Sequence, residues 1–113
     1  MTTIWHNPRC SKSRQTLALL EERGEEVTIR TYLTDAPSAD DIRAALGTLG
    51  LKAIDIIRTG EAAFKELGLS KTDDDETLIA AMVESPKLIE RPIVFKGDRA
   101  ALGRPPENVL DIL

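Results

Sequence analysis

The stretch Ile4-Trp5-His6-Asn7-Pro8-Arg9-Cys10-Ser11-Lys12-Ser13-Arg14 decides how the chain is read. An apolar run ending at Trp5 meets the turn signal Asn7-Pro8 and gives way to Leu17 and Leu20 at helical spacing, so a strand runs into a helix with a thiol at the junction. A helix N-terminus gathers unsatisfied backbone N–H groups and the positive end of the helix dipole, which favours a thiolate and also makes a seat for an oxyanion. A thiol at its free pKa of ~8.5 is only ~3% ionised at neutral pH, whereas values of ~3.5–7.5 at such positions make the nucleophile a substantial species. Arg9, Lys12 and Arg14 add positive charge in the same sense. A lone cysteine is ordinarily a small buried hydrophobe. The turn before Cys10 and the cations and serines around it favour a reactive thiol instead.

Cys10 and Ser13 lie three residues apart, on one face of a helical first turn, so the spacing expects the Ser13 hydroxyl to donate to the sulfur. His6, four residues before Cys10 at the strand end, has two readings: a promoter of the thiolate or a loop-capping imidazole. The chain has one cysteine, so no internal disulfide can form and any resolving thiol comes from outside.

Thr2 to Trp5 reads as a strand, Ser11 to Arg23 as a helix stopped by Gly24, and Val27 to Tyr32 as a second, β-branched strand. A helix follows from Pro37-Ser38-Ala39-Asp40-Asp41 to about Leu49. This β-α-β opening predicts two parallel strands bridged by a helix. The middle is helical in character: a short apolar segment at Ala53 to Ile57, a short helix at Ala62 to Leu67, and another at Asp74 to Glu84. The acidic run Asp73-Asp74-Asp75-Glu76 reads as a dipole-matched helix start, since a metal loop would need a stricter ligand pattern, and no metal site is expected. Ile93 to Lys96, a Gly97-Asp98 hairpin turn, Arg99 to Leu102 and a terminal helix from Pro106 to about Ile112 complete the chain. The sum is an α/β sandwich of about four strands, a single domain over residues 1–113 with a helical insertion at about 38–90, and thioredoxin-like if the proline before the third strand faces the thiol.

At 113 residues, with 42% hydrophobic and 30% charged residues, the chain is long enough for a core without disulfide or metal staples. No apolar run approaches the ~20 residues of a membrane span and no signal-peptide order opens the chain, so a cytoplasmic setting is expected. A net charge of −4 argues against general affinity for nucleic acid, and an anion site must be built locally from a few arginines. Arg58, Arg91 and Arg104 each stand where an apolar segment meets a turn, beside Gly or Pro. Their forked guanidinium groups suit a tetrahedral oxyanion, but spacing alone does not select them over Arg30, Arg43 or Arg99. No heptad or long apolar edge calls for a dimer, so a monomer is expected.

His6-Asn7-Pro8-x-Cys10-x-x-Ser13-Arg14, Ile57-Arg58, Glu90-Arg91-Pro92-Ile93-Val94, and Gly103-Arg104-Pro105 with Val109-Leu110-Asp111-Ile112-Leu113 together resemble the glutaredoxin-coupled arsenate reductases, ArsC-like members of the thioredoxin-like superfamily. The resemblance covers essentially the whole chain. It implies a thioredoxin-like fold with a helical insertion and Cys10 as the nucleophile on arsenate. It also implies Arg58, Arg91 and Arg104 as oxyanion-binding residues, and a cis Arg91-Pro92 bond beside the thiol. Ser11 joins the substrate contacts, with His6 and Ser13 in the catalytic set. No bound cofactor is implied, with glutathione and glutaredoxin as reducing co-substrates. Two other readings share the fold: a redox regulator docking on a protein such as RNA polymerase, and a monothiol oxidoreductase with another substrate.

Overall fold

The computed structural model describes residues 2–113, which fall into two compact units, one running through Asp35 and resuming at Arg91, the other Ala36–Glu90. The first unit is built on β1 (Thr2–Trp5), the central strand that alternation at the N-terminus predicts. It pairs in parallel with β2 (Val27–Arg30) and antiparallel with β3 (Ile93–Lys96), and β3 turns back into β4 (Arg99–Leu102), giving the order β2-β1-β3-β4. Helix α1 (Ser11–Glu22) makes the crossover between the parallel strands. It stops at Gly24, where φ of 75° would strain any side chain, and the Glu25 N–H reaches back 3.1 Å to the Leu20 carbonyl. Strand β2 is shorter than its β-branched run predicts because the Thr31 carbonyl is taken by the Thr34 and Asp35 amides, which turn the chain out of the sheet.

One apolar cluster holds this unit: Ile4, Leu20, Val94, Val109 and Ile112 are buried together, with Leu17, Val27, Ala101 and Leu113 against them. Each such side chain contributes about 1.5–3 kcal/mol of transfer free energy when fully buried. The terminal segment Pro106–Ile112 packs on α1 and β4, but as a 3-10 helix and not the α-helix expected. Its buried residues explain the tighter winding: Pro106, Val109 and Ile112 recur every third residue, the period that a 3-10 helix aligns on one face. Elsewhere on the sheet Trp5 is buried, with Phe95 tilted against it at 5.2 Å between ring centroids and the Arg30 guanidinium 5.7 Å over its ring.

The second unit is helical: α2 (Ala39–Leu49), α3 (Ala53–Ile56), α4 (Ala62–Glu66) and α5 (Asp75–Glu84), then a 3-10 turn at Pro86–Leu88. The capping box at Ser38 is formed in full: its hydroxyl accepts from the Asp41 amide and the Asp41 carboxylate accepts from the Ser38 amide, both at 3.1 Å. The acidic run also ends as a helix start, with Asp74 capping α5 through the Thr77 amide at 2.8 Å. Ile42, Leu46, Leu78, Ile79 and Met82 are buried where α2 and α5 pack, and Arg43 bridges the two helices at the surface by pairing with Glu76 as well as Asp40.

Candidate active site

Sheet register gathers the chemistry of the first unit at one end. Arg30, Trp5, Ile93 and Leu102 pair across the four strands in a single row, so the segments just beyond that row leave the sheet together. Those segments are the loop from His6 to Cys10, the turn after β2, the Arg91-Pro92 step before β3, and Gly103-Arg104 after β4. The Arg91-Pro92 peptide is cis, as the resemblance implies, and Arg104-Pro105 is cis as well.

The loop is held by its own side chains. The Asn7 carboxamide oxygen accepts from the Arg9 amide at 3.0 Å, the Asn7 carbonyl accepts from the Cys10 amide at 3.0 Å, and the Arg14 guanidinium donates to the Pro8 carbonyl at 2.8 Å. Cys10 is thereby placed at the N-cap of α1, half-buried and in extended conformation. The position is one where Ser, Thr or Asp normally supplies an oxygen, and the first turn of this helix has no acidic residue. The sulfur closes no capping hydrogen bond of ordinary geometry. Its surroundings still favour the anion: burial pushes the thiol up, but the Ser13 amide, the nearby charge of Arg91, the Lys12 amide and a hydrogen bond from the Arg91 side chain together carry it below its ordinary value. Arg91, eighty-one positions away in sequence, thus acts on the sulfur both by its charge and by a hydrogen bond.

Ser13 corrects a second expectation. Its contribution at the thiol is the backbone N–H, while its fully buried hydroxyl sits 2.6 Å from His6 Nδ1 and accepts from the Asn7 amide at 3.0 Å. His6 is buried beside it and is held below its ordinary pKa, chiefly by burial and then by the charge of Arg14, so the ring is neutral near pH 7. It anchors the loop through Ser13 and through its own amide, which donates to the Arg30 carbonyl at 2.8 Å.

Arg104 is exposed and donates to the Arg91 carbonyl at 3.3 Å, so these two arginines meet. Ser11 is the exposed first residue of α1, next to Cys10. Arg58 belongs to the other unit, where it pairs with Glu61 at 2.8 Å and its amide donates to the Leu88 carbonyl at 2.7 Å, beside the Ile57–Ile89 bridge. Pro92 is buried, and its carbonyl accepts from the Gly103 amide at 2.9 Å.

Two supporting residues were not singled out from the sequence. A Cβ on Gly103 would stand 2.6 Å from Pro92 Cγ and 2.6 Å from Thr16 Oγ1, so the missing side chain is what allows Pro92 and α1 to close around it. Thr16 is fully buried and donates to the Lys12 carbonyl at 2.8 Å. Ser13, Thr16 and Leu20 are the buried positions of α1, and the two hydroxyls at core spacing were the available signal. Among the described residues no cluster of three or more His, Cys, Asp or Glu side chains could hold a metal ion, and no helix is long and apolar enough to cross a membrane.

Comparison with known proteins agrees over nearly the full length. The family model described as the ArsC family matches residues 5–112. The chain is 48% identical over 112 residues to YfgD of Escherichia coli K12, a protein described as uncharacterized, covering 97% of this chain and 94% of that one. It is 45% identical over 112 residues to a protein named arsenate reductase from Haemophilus influenzae, covering 97% of each. The solved structure of an arsenate reductase from Vibrio cholerae superposes with a TM-score of 0.95 at 47% identity, over 99% of this chain and 97% of that chain.

Proposed function

The chain belongs to the ArsC family, of thioredoxin-like fold, and on that premise we propose that it is an arsenate reductase working through Cys10 with glutathione and glutaredoxin as electron donors. The observation that carries this reading is a thiol at a helix N-cap whose ionisation is favoured by the Ser13 and Lys12 amides and by Arg91.

In the first step arsenate lies against the start of α1 with Arg91 and Arg104 on its oxygens. The Cys10 thiolate attacks arsenic, an As–S bond forms, and one oxygen leaves with protons as water. Arsenic is still pentavalent. In the second step a glutathione thiolate attacks the Cys10 sulfur, the S–S bond forms, and the As–S bond breaks with its electron pair on arsenic. Two electrons pass from the sulfurs to arsenic, which departs as arsenite. Glutaredoxin then attacks the glutathione sulfur of the mixed disulfide and returns Cys10 as thiolate. His6 and Ser13 act as positioning residues that fix the loop, Ser11 lies at the substrate, and Pro92 sets the direction of Arg91. Arg58 is assigned to the oxyanion on resemblance alone. The reaction suits a monomer in a reducing cytoplasm.

The test is NADPH consumption coupled through glutathione and glutaredoxin, with and without arsenate. Arsenate-dependent turnover lost in Cys10→Ser supports the reading; thiol oxidation that ignores arsenate sinks it and favours a monothiol oxidoreductase of other specificity.

A further inference from the structure

Thr16 is fully buried, yet the reaction sequence gives it no part. A buried hydroxyl must find an acceptor, and this one takes the Lys12 carbonyl, one helical turn back, at 2.8 Å. A regular helix already gives that carbonyl the Thr16 amide, so one residue supplies it with two donors. What sets the bond apart is the other end of the peptide it touches. The Lys12 carbonyl and the Ser13 N–H belong to one planar peptide group. Cys10 is the N-cap of α1 with φ −93° and ψ 122°, the extended conformation that aims a capping side chain at the amides of the second and third helical residues, here Lys12 and Ser13. A single peptide therefore joins the Thr16 hydroxyl to the sulfur.

A hydrogen bond on a carbonyl draws electron density toward its oxygen and makes the N–H of the same peptide a stronger donor, by about 10–30% per bond in condensed phases. Burial raises the Cys10 thiol, and the Ser13 amide leads the groups that lower it. The bond is also walled in. A Cβ on Gly103 would fall 2.6 Å from Thr16 Oγ1, 3.1 Å from its Cγ2 and 2.6 Å from Pro92 Cγ, so the bare glycine backbone and the proline ring close over the hydroxyl. Water is kept off it, and a hydrogen bond polarises its partner more strongly where the dielectric is low. Thr48 makes the same kind of bond in α2, to the Ala44 carbonyl at 3.0 Å, but it is exposed and the peptide it touches ends at Ala45, inside the helix.

We propose that Thr16 is a positioning residue for the nucleophile: its hydroxyl holds and polarises the Lys12–Ser13 peptide, and so sets how strongly the Ser13 amide grips the Cys10 sulfur. This rests on the reductase reading for its effect on turnover, and not for its effect on the thiol. The first turn of α1 is then tuned from its buried side, one turn away from the reacting atoms.

The pH profile of Cys10 alkylation tests it, with urea unfolding run alongside. Thr16→Val keeps the branched shape and removes the O–H, and its profile should move upward by about 0.2–0.5 pH unit. Thr16→Ala, which cannot crowd Gly103, should move it in the same direction. Thr16→Ser keeps the O–H and should leave the profile in place, whatever it costs in stability, as should Thr48→Val. By NMR, Thr16→Val should shift the Ser13 amide proton and the Lys12 carbonyl carbon upfield, as a weakened hydrogen bond does. A profile unmoved in Thr16→Val or Thr16→Ala, a profile moved as far in Thr16→Ser or Thr48→Val, or an unshifted Ser13 amide proton overturns the relay. Alkylation needs no arsenate: a moved profile without arsenate reduction would sink the reductase reading and leave the relay, whereas arsenate reduction with an unmoved profile would do the reverse.

Discussion

The start of α2 and the start of α1 solve the same physical problem in opposite ways. At α2, Ser38 and Asp41 satisfy each other's amides, and Asp40 and Asp41 place negative charge against the positive end of the dipole. At α1 a cysteine takes the cap position, no acid enters the first turn, and the amides of Lys12 and Ser13 remain turned toward sulfur. A capped helix end contributes stability, and an end left for a weaker capping group gives up some of it for chemistry. The same division runs through the two units. The buried polar side chains among the described residues, Thr2, His6, Ser13 and Thr16, are all in the unit that carries Cys10, whereas the helical unit buries aliphatic and aromatic side chains and keeps Arg43, Asp40 and Glu76 at its surface.

The largest effect is expected at position 10. Cys10→Ser turns the α1 start into an oxygen-capped end like that of α2, so turnover should fall to background, at least ~10³-fold. The urea midpoint should hold or rise, by about 1 kcal/mol at most. Arg91→Ala comes next. Removing a charge-assisted contact of ~1.5–3 kcal/mol should cost about 10- to 100-fold in rate. It should also move the Cys10 alkylation profile toward higher pH, and further than Ser13→Ala does, because Ser13 acts on the sulfur through an amide that alanine keeps. Gly103→Ala should destabilise the protein by about 1–3 kcal/mol in urea unfolding, as the added methyl forces Pro92 and Thr16 apart. Ser38→Ala should cost ~1 kcal/mol and leave the alkylation profile unmoved, which would sharpen the contrast between the two helix starts.

The smallest effect is a pH dependence at His6. Its folded-state pKa lies below the unfolded value of ~6.5, so the unfolded chain binds the extra proton and stability declines as pH falls through ~6.5 toward the folded value. Urea midpoints between pH 7.5 and 5 should show this slope in the wild type and lose it in His6→Gln.

Local signals carried much of the fold into the sequence. Alternation marked β1, the apolar run after Arg91-Pro92 marked β3, Gly24 marked the end of α1, and the Ser38 and Asp74 caps marked the starts of α2 and α5, because each depends on neighbours within a few residues. The thiol's place at a helix start was legible for the same reason. Its electrostatic partner was not: Arg91 reaches Cys10 only because Trp5 pairs with Ile93, a register that spacing leaves open. The direction of the Ser13 hydroxyl was hidden likewise, since it depends on where the preceding loop carries the His6 ring. The terminal 3-10 helix was written in a period of three at Pro106, Val109 and Ile112, which a 3.6-residue reading passes over.

Trp5 is the chain's one tryptophan, buried under the Arg30 guanidinium and joined directly to His6. Its fluorescence therefore originates at a single place, at the root of the segment that delivers the nucleophile. Any occupant that shifts this loop, or Arg30 above the indole, should change the emission intensity, and the protein thus carries an intrinsic optical probe that needs no label and no coupled enzyme.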